Sequence, residues 1–315
     1  MKRLYFIGGA VTALAALAAC SGGKADNIID AEPIAGVADC RALTDTLQSI
    51  AAACPGEIGV ALIAGDDTIV VNNEDKYPLM SVFKLHQAIS LCRTFGESDI
   101  PLDRKTEVER RSLNPDTWSP MLKDYPDSVI VISAADLLRY TLTQSDNNAS
   151  NYMFDQWESV ARVDSFISTL IPRDAFRLSY TEEEMWHDHD KSYANHTSPL
   201  GAALLMERLF TDSIMPAPYA DFLRTTLGEC ATGIDRIAAP LADIEGVTVA
   251  HKTGSGYRNA DGLLVAHNDV AFITLPDGTH YTLAVFVKDF AGTEAEASAA
   301  ISRISQAAYS AITKQ

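Results

Sequence analysis

Apolar residues recur at Leu43, Leu47, Ile50, Ala51 and Cys54. This spacing predicts a helix, which Pro55-Gly56 would end. Ile58 to Ala64 is an unbroken apolar run that predicts a buried strand. Gly65-Asp66-Asp67 then predicts a turn and Thr68 to Val71 its hairpin partner. From Ser81 to about Glu229 the pattern is mainly helical. Ser133-Ala134-Ala135-Asp136 looks like a capping box opening a helix through Leu142, and Ser198-Pro199 supplies an N-cap and a first-turn proline for a helix through Phe210. Between them, Arg177 to Thr197 is long, polar and without period, which predicts a functional or disordered loop.

After Gly233 the pattern returns to strands, at Val247 to Lys252, Val265 to Leu275 and Tyr281 to Val287, with Pro276-Asp277-Gly278 turning the last pair into a hairpin. Thr293 and Glu296 form a capping box for a final helix with an apolar stripe at Ala297, Ala300, Ile301, Ile304, Ala307, Ala308 and Ile312. Strands at both ends with helices between them predict an α/β (α+β) chain. Its sheet would be assembled from both termini around an inserted helical domain, with a binding cleft between the two parts. The expected division is a sheet domain from 37–72 and 228–315 and a helical domain over 73–227 that includes the loop 177–197.

The first residues follow a different rule. Lys2 and Arg3 precede the apolar stretch Leu4 to Ala19, the pattern of a secretory signal over 1–19. It ends in Leu17-Ala18-Ala19-Cys20, which resembles a bacterial lipobox, with cleavage before Cys20 and lipidation of its thiol. The alternative is a plain signal peptide with an incidental cysteine. Small and polar residues over 20–36 suit a flexible tether. No later stretch approaches the roughly 18 apolar residues a spanning helix needs, so the expectation is an exported, periplasmic domain that meets a membrane only through Cys20.

The 315 residues are 47% hydrophobic and can bury a sizeable core, and the net charge of −17 argues against a nucleic-acid partner. Beyond Cys20 the cysteines are Cys40, Cys54, Cys92 and Cys230. Cys40 and Cys54 flank a helix long enough to hold them apart. A Cys92–Cys230 bridge is open, and free thiols are the plainer expectation.

Three short motifs carry chemistry. In Ser81-Val82-Phe83-Lys84 the hydroxyl and the amine share a helical face, which sets a weak nucleophile beside a group able to take its proton. Ser145-Asp146-Asn147 offers a hydroxyl and an amide that can relay a proton and hold a substrate carbonyl. Lys252-Thr253-Gly254-Ser255-Gly256 closes a strand, where a lysine, a threonine and exposed backbone can bind a carboxylate. Singly these are ordinary segments, namely a helix start, a helix cap and a strand running into a turn.

Their order is what matters, since S-x-x-K, S-D-N and K-T-G form one set. In Pro78-Leu79-Met80-Ser81-Val82-Phe83-Lys84, Ser145-Asp146-Asn147-Asn148-Ala149-Ser150-Asn151 and His251-Lys252-Thr253-Gly254-Ser255-Gly256 the chain resembles a class A serine β-lactamase, most like the extended-spectrum cephalosporinases of the CfxA and PER types. The resemblance implies an antiparallel five-stranded sheet with an inserted helical domain, a monomer acting on small-molecule β-lactams, and no metal or organic cofactor. It implies Ser81 as the acylated nucleophile and Lys84 as the aid to its deprotonation. Ser145 would protonate the departing nitrogen and Asn147 would hold the acylamide. Lys252 would support Ser145, Thr253 and Ser255 would grip the carboxylate beside Gly254, and the N–H groups of Ser81 and Ser255 would form the oxyanion hole.

Deacylation needs a base in the long loop. Glu182-Glu183-Glu184-Met185 fits the family spacing with Glu182 as that base, Glu183 as its nearest rival, and Asn151 as its hydrogen-bond partner. Trp186 stands where the family commonly has Asn, and Tyr180 where it often has an ion-pairing arginine. The resemblance further implies Trp118 as an aromatic gate and Arg236 as added positive charge for the carboxylate. Without a loop base, the same acylation set would serve a D,D-peptidase or a β-lactam sensor. His187-Asp188-His189-Asp190 begins like a metal-binding run, but Lys191 stands where a further histidine is needed, so a solvated loop is expected.

Overall fold

The computed structural model describes residues 32–33, 36–74 and 76–314. The predicted signal peptide, Cys20 and most of the tether lie outside the described residues. Five antiparallel strands form the main sheet in the order Asp67–Val71, Glu57–Ala64, Thr279–Phe290, Leu264–Thr274, Thr248–Ser255. The two chain ends interleave here, because Glu57–Ala64 pairs directly with Thr279–Phe290, Val60 facing Val285. One expectation is corrected: Glu32–Pro33, assigned to the tether, adds a short parallel pairing to Thr279–His280.

The sheet is covered on both faces, which is why its strands read as unbroken apolar runs. Val60, Leu62, Leu283 and Val285 pack under the helices Cys40–Ala52 and Glu294–Thr313, through Leu43, Leu47, Ile301 and Ile304. Ala61, Ala284, Phe286, Val270 and Phe272 face the opposite way, into the core of the helical region. The caps read from the sequence are present: Ser133 accepts from Asp136 N–H, Ser198 from Gly201 N–H, and Thr293 with Glu296 closes a capping box.

The helix Phe83–Glu97 runs through the helical core and is buried nearly all round, including Lys84, His86, Gln87 and Ser90. Gln87 exchanges hydrogen bonds with Ser150, tying this helix to Asn147–Gln156. Burial brings His86 down to about 4, so it is a neutral core residue at physiological pH.

Two small ladders break the expected all-helical stretch. Lys105–Glu109 pairs with Val129–Ser133. The second strand alternates buried Ile130 and Ile132 with exposed Val129 and Val131, so an apolar residue on each face hides the period of two. Phe176–Arg177 pairs with His196–Thr197, closing the neck of the long loop. The loop is also more regular than its sequence pattern suggests, with the helix Glu182–His187 capped by Thr181 and a 3-10 segment, His189–Ala194.

Candidate active site

Ser81 lies in a 3-10 turn, Met80–Val82, that runs directly into the helix Phe83–Glu97. One helical turn on, the fully buried Lys84 donates from Nζ to Ser81 Oγ at 3.0 Å. The turn presses so closely on the edge strand that a Cβ on Gly254 would sit 2.6 Å from the Leu79 carbonyl. Met80 just before Ser81 has φ +43°, a left-handed conformation that marks strain held in place by its surroundings.

Ser145 precedes the helix Asn147–Gln156 and is also left-handed, φ +59°. Its Oγ receives Lys252 Nζ at 3.2 Å and Lys84 Nζ at 3.4 Å, so two buried amines converge on one hydroxyl. Asp146 caps the helix through Ala149 N–H and also accepts from Ser119 Oγ and Met121 N–H. It therefore holds the Trp118 segment rather than facing the cleft. Asn147 accepts from Lys84 Nζ at 2.6 Å and donates to Thr117 Oγ1 at 2.8 Å.

The third wall is the edge strand Thr248–Ser255. Gly256 N–H donates to Ala266 O at 2.8 Å, so the antiparallel alternation turns the Ser255 N–H away from the neighbouring strand. Arg236 is buried behind this edge. It donates to Ser255 Oγ at 2.6 Å and to the Asn268 carbonyl at 2.7 Å.

The long loop supplies the fourth side. Glu182 Oε1 accepts from Ser81 Oγ at 2.9 Å and lies 3.0 Å from Lys84 Nζ, and the residue is only 9% exposed. Glu183 turns outward to Asn114 Nδ2 and His187 Nε2, leaving Glu182 as the carboxylate on Ser81. Asn151 accepts from the Glu183 N–H at 3.2 Å, so it steadies the turn carrying Glu182 through its backbone. In place of an ion pair at Tyr180, buried Asn195 accepts from Ser179 N–H and Tyr180 N–H and donates to Tyr180 O. The two histidines of the metal-like run go to different partners, His187 to Glu183 and His189 to the Tyr257 ring.

Together these elements enclose a cleft of about 650 Å³, with Ser81, Ser145, Asn147, Glu182, Thr253 and Ser255 on its walls and Trp118 at its mouth. Trp118 is 58% exposed and is fixed by its indole N–H to Gln144 O. Lys84, Lys252, Gly254, Arg236 and Asn151 stand behind that lining. Sequence reasoning missed several contributors. Thr232 Oγ1 lies 2.6 Å from Thr253 Oγ1, and Trp186, His189 and Tyr257 also line the cleft. Only the place of Thr232 four residues before Arg236 hints at this.

Behind Lys252 sits a charged network. Burial brings the Lys252 ammonium down to about 7. Burial would likewise discharge His251, but Asp269, with Oδ1 2.9 Å from Nδ1, and Cys230 raise it to about 10. Burial would raise the Cys230 thiol, yet its interaction with His251 brings it down to about 7. Cys40, Cys54, Cys92 and Cys230 are all free thiols, so the open Cys92–Cys230 bridge is not formed.

The sequence model of the Beta-lactamase enzyme family matches residues 42–312. Among curated proteins, a beta-lactamase of Phocaeicola vulgatus is 59% identical over 269 residues, 85% of this chain and 84% of that protein. The extended-spectrum beta-lactamase PER-1 of Pseudomonas aeruginosa is 30% identical, over 85% of this chain and 86% of its own. A crystal structure of a class A beta-lactamase from Bacteroides cellulosilyticus superposes with a TM-score of 0.82 at 31% identity, covering 87% of this chain and 98% of that one. A serine, two lysines and a loop carboxylate around one cleft, on this fold and with these relatives, make the chain a member of the class A β-lactamases, hydrolases of the β-lactam amide bond.

Proposed function

We propose that this β-lactamase works through a Ser81 acyl-enzyme that a Glu182-activated water hydrolyses. Lys84 first passes a proton to Glu182, 3.0 Å away. As a neutral amine it then takes the Ser81 proton while Oγ attacks the lactam carbonyl carbon. Lys84 later refills Ser145, and Glu182 returns the proton to Lys84 before deacylation. The N–H groups of Ser81 and Ser255 stabilise the oxyanion. The C–N bond then breaks and the nitrogen leaves with a proton from Ser145, which Lys252 and Lys84 flank. Thr253 and Ser255, with Arg236 behind, grip the substrate carboxylate, and Asn147 holds the acylamide. Once esterified, Ser81 Oγ has no proton to donate. The Glu182 oxygen that accepted from it is then free to accept from a water beside the ester.

The observation carrying this reading is the single Glu182 oxygen within 2.9 Å of Ser81 Oγ and 3.0 Å of Lys84 Nζ. A chromogenic cephalosporin tests it. Wild type should turn over many equivalents, and Ser81→Ala should lose on the order of 10⁴-fold or more in rate. Release of one equivalent followed by arrest would instead mark an acylating sensor or peptidase.

A cephalosporin preference, conferring resistance, extends the proposal through the likeness to an extended-spectrum relative. So do export as a monomer lipidated at Cys20 and the division into a sheet domain (37–72, 228–315) and a helical domain (73–227). Cys20→Ser should move the protein from the membrane fraction to the soluble one, and an unchanged distribution would remove the anchor.

A further inference from the structure

Of the four free thiols among the described residues, one stands in a different setting from the rest. Cys92 is fully buried, and burial pushes its thiol up. Burial and then Asp67 raise the Cys40 thiol, and Cys54 Sγ donates to Ile50 O at 3.3 Å. Cys230 instead meets a base. It is half-buried just after the helix Ala217–Gly228 and interacts with the His251 ring, whose Nδ1 lies 2.9 Å from Asp269 Oδ1. Asp269 Oδ2 accepts from Ile237 N–H at 3.1 Å, which fixes the carboxylate against the imidazole. Sulfur, imidazole and carboxylate in this order are an arrangement that makes a thiol a nucleophile. Although burial alone would raise it, His251 brings the Cys230 thiol down to about 7, so much of it is thiolate at neutral pH.

The same sulfur is tied to the cleft by three routes. Its Sγ lies 3.5 Å from Thr232 Oγ1, which is 2.6 Å from Thr253 Oγ1, and both threonines are on the cleft wall. The adjoining Ala231 N–H donates to Thr143 O at 2.9 Å, two residues before Ser145. His251 directly precedes Lys252, whose Nζ donates to Ser145 Oγ at 3.2 Å. On the outer side, Glu229 and Ala231, the residues flanking Cys230, line a second cavity of about 480 Å³ together with Arg139, Tyr140 and Thr143. A small reagent therefore has room to approach. A second sulfur bonded to an atom already in contact with Thr232 and His251 must displace one or both, because the packing leaves no slack on that side.

We propose that Cys230 is a site of reversible S-thiolation by low-molecular-weight disulfides, and that the modification suppresses β-lactam hydrolysis by moving Thr232 and Lys252 out of place. The Cys230 thiolate attacks one sulfur of a disulfide RS–SR. That S–S bond breaks, a Cys230–S–SR bond forms, and RS⁻ leaves to take a proton from solvent. Cys230 is oxidised as the departing sulfur is reduced, so a dithiol reductant reverses the step. The exchange also removes the thiolate charge from beside His251 and Lys252. None of this depends on which group serves as the base in deacylation.

Oxidised glutathione is the probe. The protein, reduced and then freed of reductant, should gain a glutathionyl group that peptide mass analysis maps to Cys230. Hydrolysis of a chromogenic cephalosporin should fall about tenfold or more in step with that adduct, the scale on which small displacements in an active site act. Dithiothreitol should remove the group and restore the rate. Cys230→Ser should be active and keep its activity in oxidised glutathione, whereas Cys40→Ser should be inhibited like wild type. An adduct on Cys230 with the rate intact would overturn the link to the cleft. No adduct, an adduct confined to the other cysteines, or inhibition that persists in Cys230→Ser would overturn the site. A rate that stays low after dithiothreitol has removed the group would overturn the reversible switch, since the protein would simply have unfolded. If Cys230→Ser fails to fold, the mapping and reversal on wild type decide alone.

Discussion

The floor proposed to carry acylation and the loop proposed to carry deacylation meet at Ser81 but are built differently. Ser81 and Lys84 belong to a turn and a helix of 15 residues buried nearly all round, Ser145 precedes a helix of 10, and Lys252 lies in a strand paired along its length. Glu182 rides on a helix of six residues. Local bonds position that helix, from Asn195 to the loop backbone, Asn151 to Glu183 N–H, and Asn114 to Glu183. The floor is held by the core itself, whereas the loop helix sets one side chain, Met185, into that core and otherwise depends on a few polar ties. On the proposed mechanism, turnover, the property separating a lactamase from a protein that only acylates, is thus entrusted to the less reinforced element.

Breaking the floor should have the larger effect. Asp269→Asn leaves the buried His251 without its partner and should cost about 3–5 kcal/mol in denaturant unfolding. Because His251 is raised from 6.5 to about 10, its stabilising contribution is full below pH 6.5 and is lost as pH rises through about 10. The penalty should accordingly shrink on the alkaline side, and a pH-independent penalty would show that the His251 charge is not involved.

Breaking the loop should divide the reaction. Asn195→Ala removes the bonds to exposed Ser179 and half-buried Tyr180, each worth about 0.5–1.5 kcal/mol. Pre-steady-state kinetics should show deacylation slowed about tenfold with acylation affected less. Equal slowing of both steps would mean that loop and floor are one unit.

The smallest effect probes the network behind Lys252. Alkylation of Cys230 should rise with pH around a midpoint of about 7, while Cys92, buried with its thiol pushed up, should stay inert until unfolding. A Cys230 midpoint at the usual free-thiol value, near 8.5, would dissolve the proposed His251 interaction.

The contrast also explains what is legible in the sequence. Ser81 and Lys84 share a face because they stand three positions apart along one helical turn, and the caps at Ser133, Ser198 and Thr293 need only their own first turns. The hairpin at Gly278, φ +86°, is equally local. Partners chosen across the fold are hidden. Nothing near Asn195 in the sequence marks it as the staple for Tyr180, and nothing near Asp269 points to His251 eighteen residues away. Asn151, expected on Glu182 itself, meets the neighbouring N–H instead, a difference of one residue that only the loop's helical turn determines. Arg177 to Thr197 has no period because its helix is six residues long, too short for an amphipathic pattern to repeat.

The central claim is that Glu182 removes the acyl group that Ser81 accepts. Intact-mass spectrometry of Glu182→Gln after exposure to a cephalosporin tests it most directly. The account predicts a persistent adduct of one acyl group per chain, with turnover stopped after the first equivalent. Hydrolysis at the wild-type rate with no adduct would contradict it and place the base elsewhere.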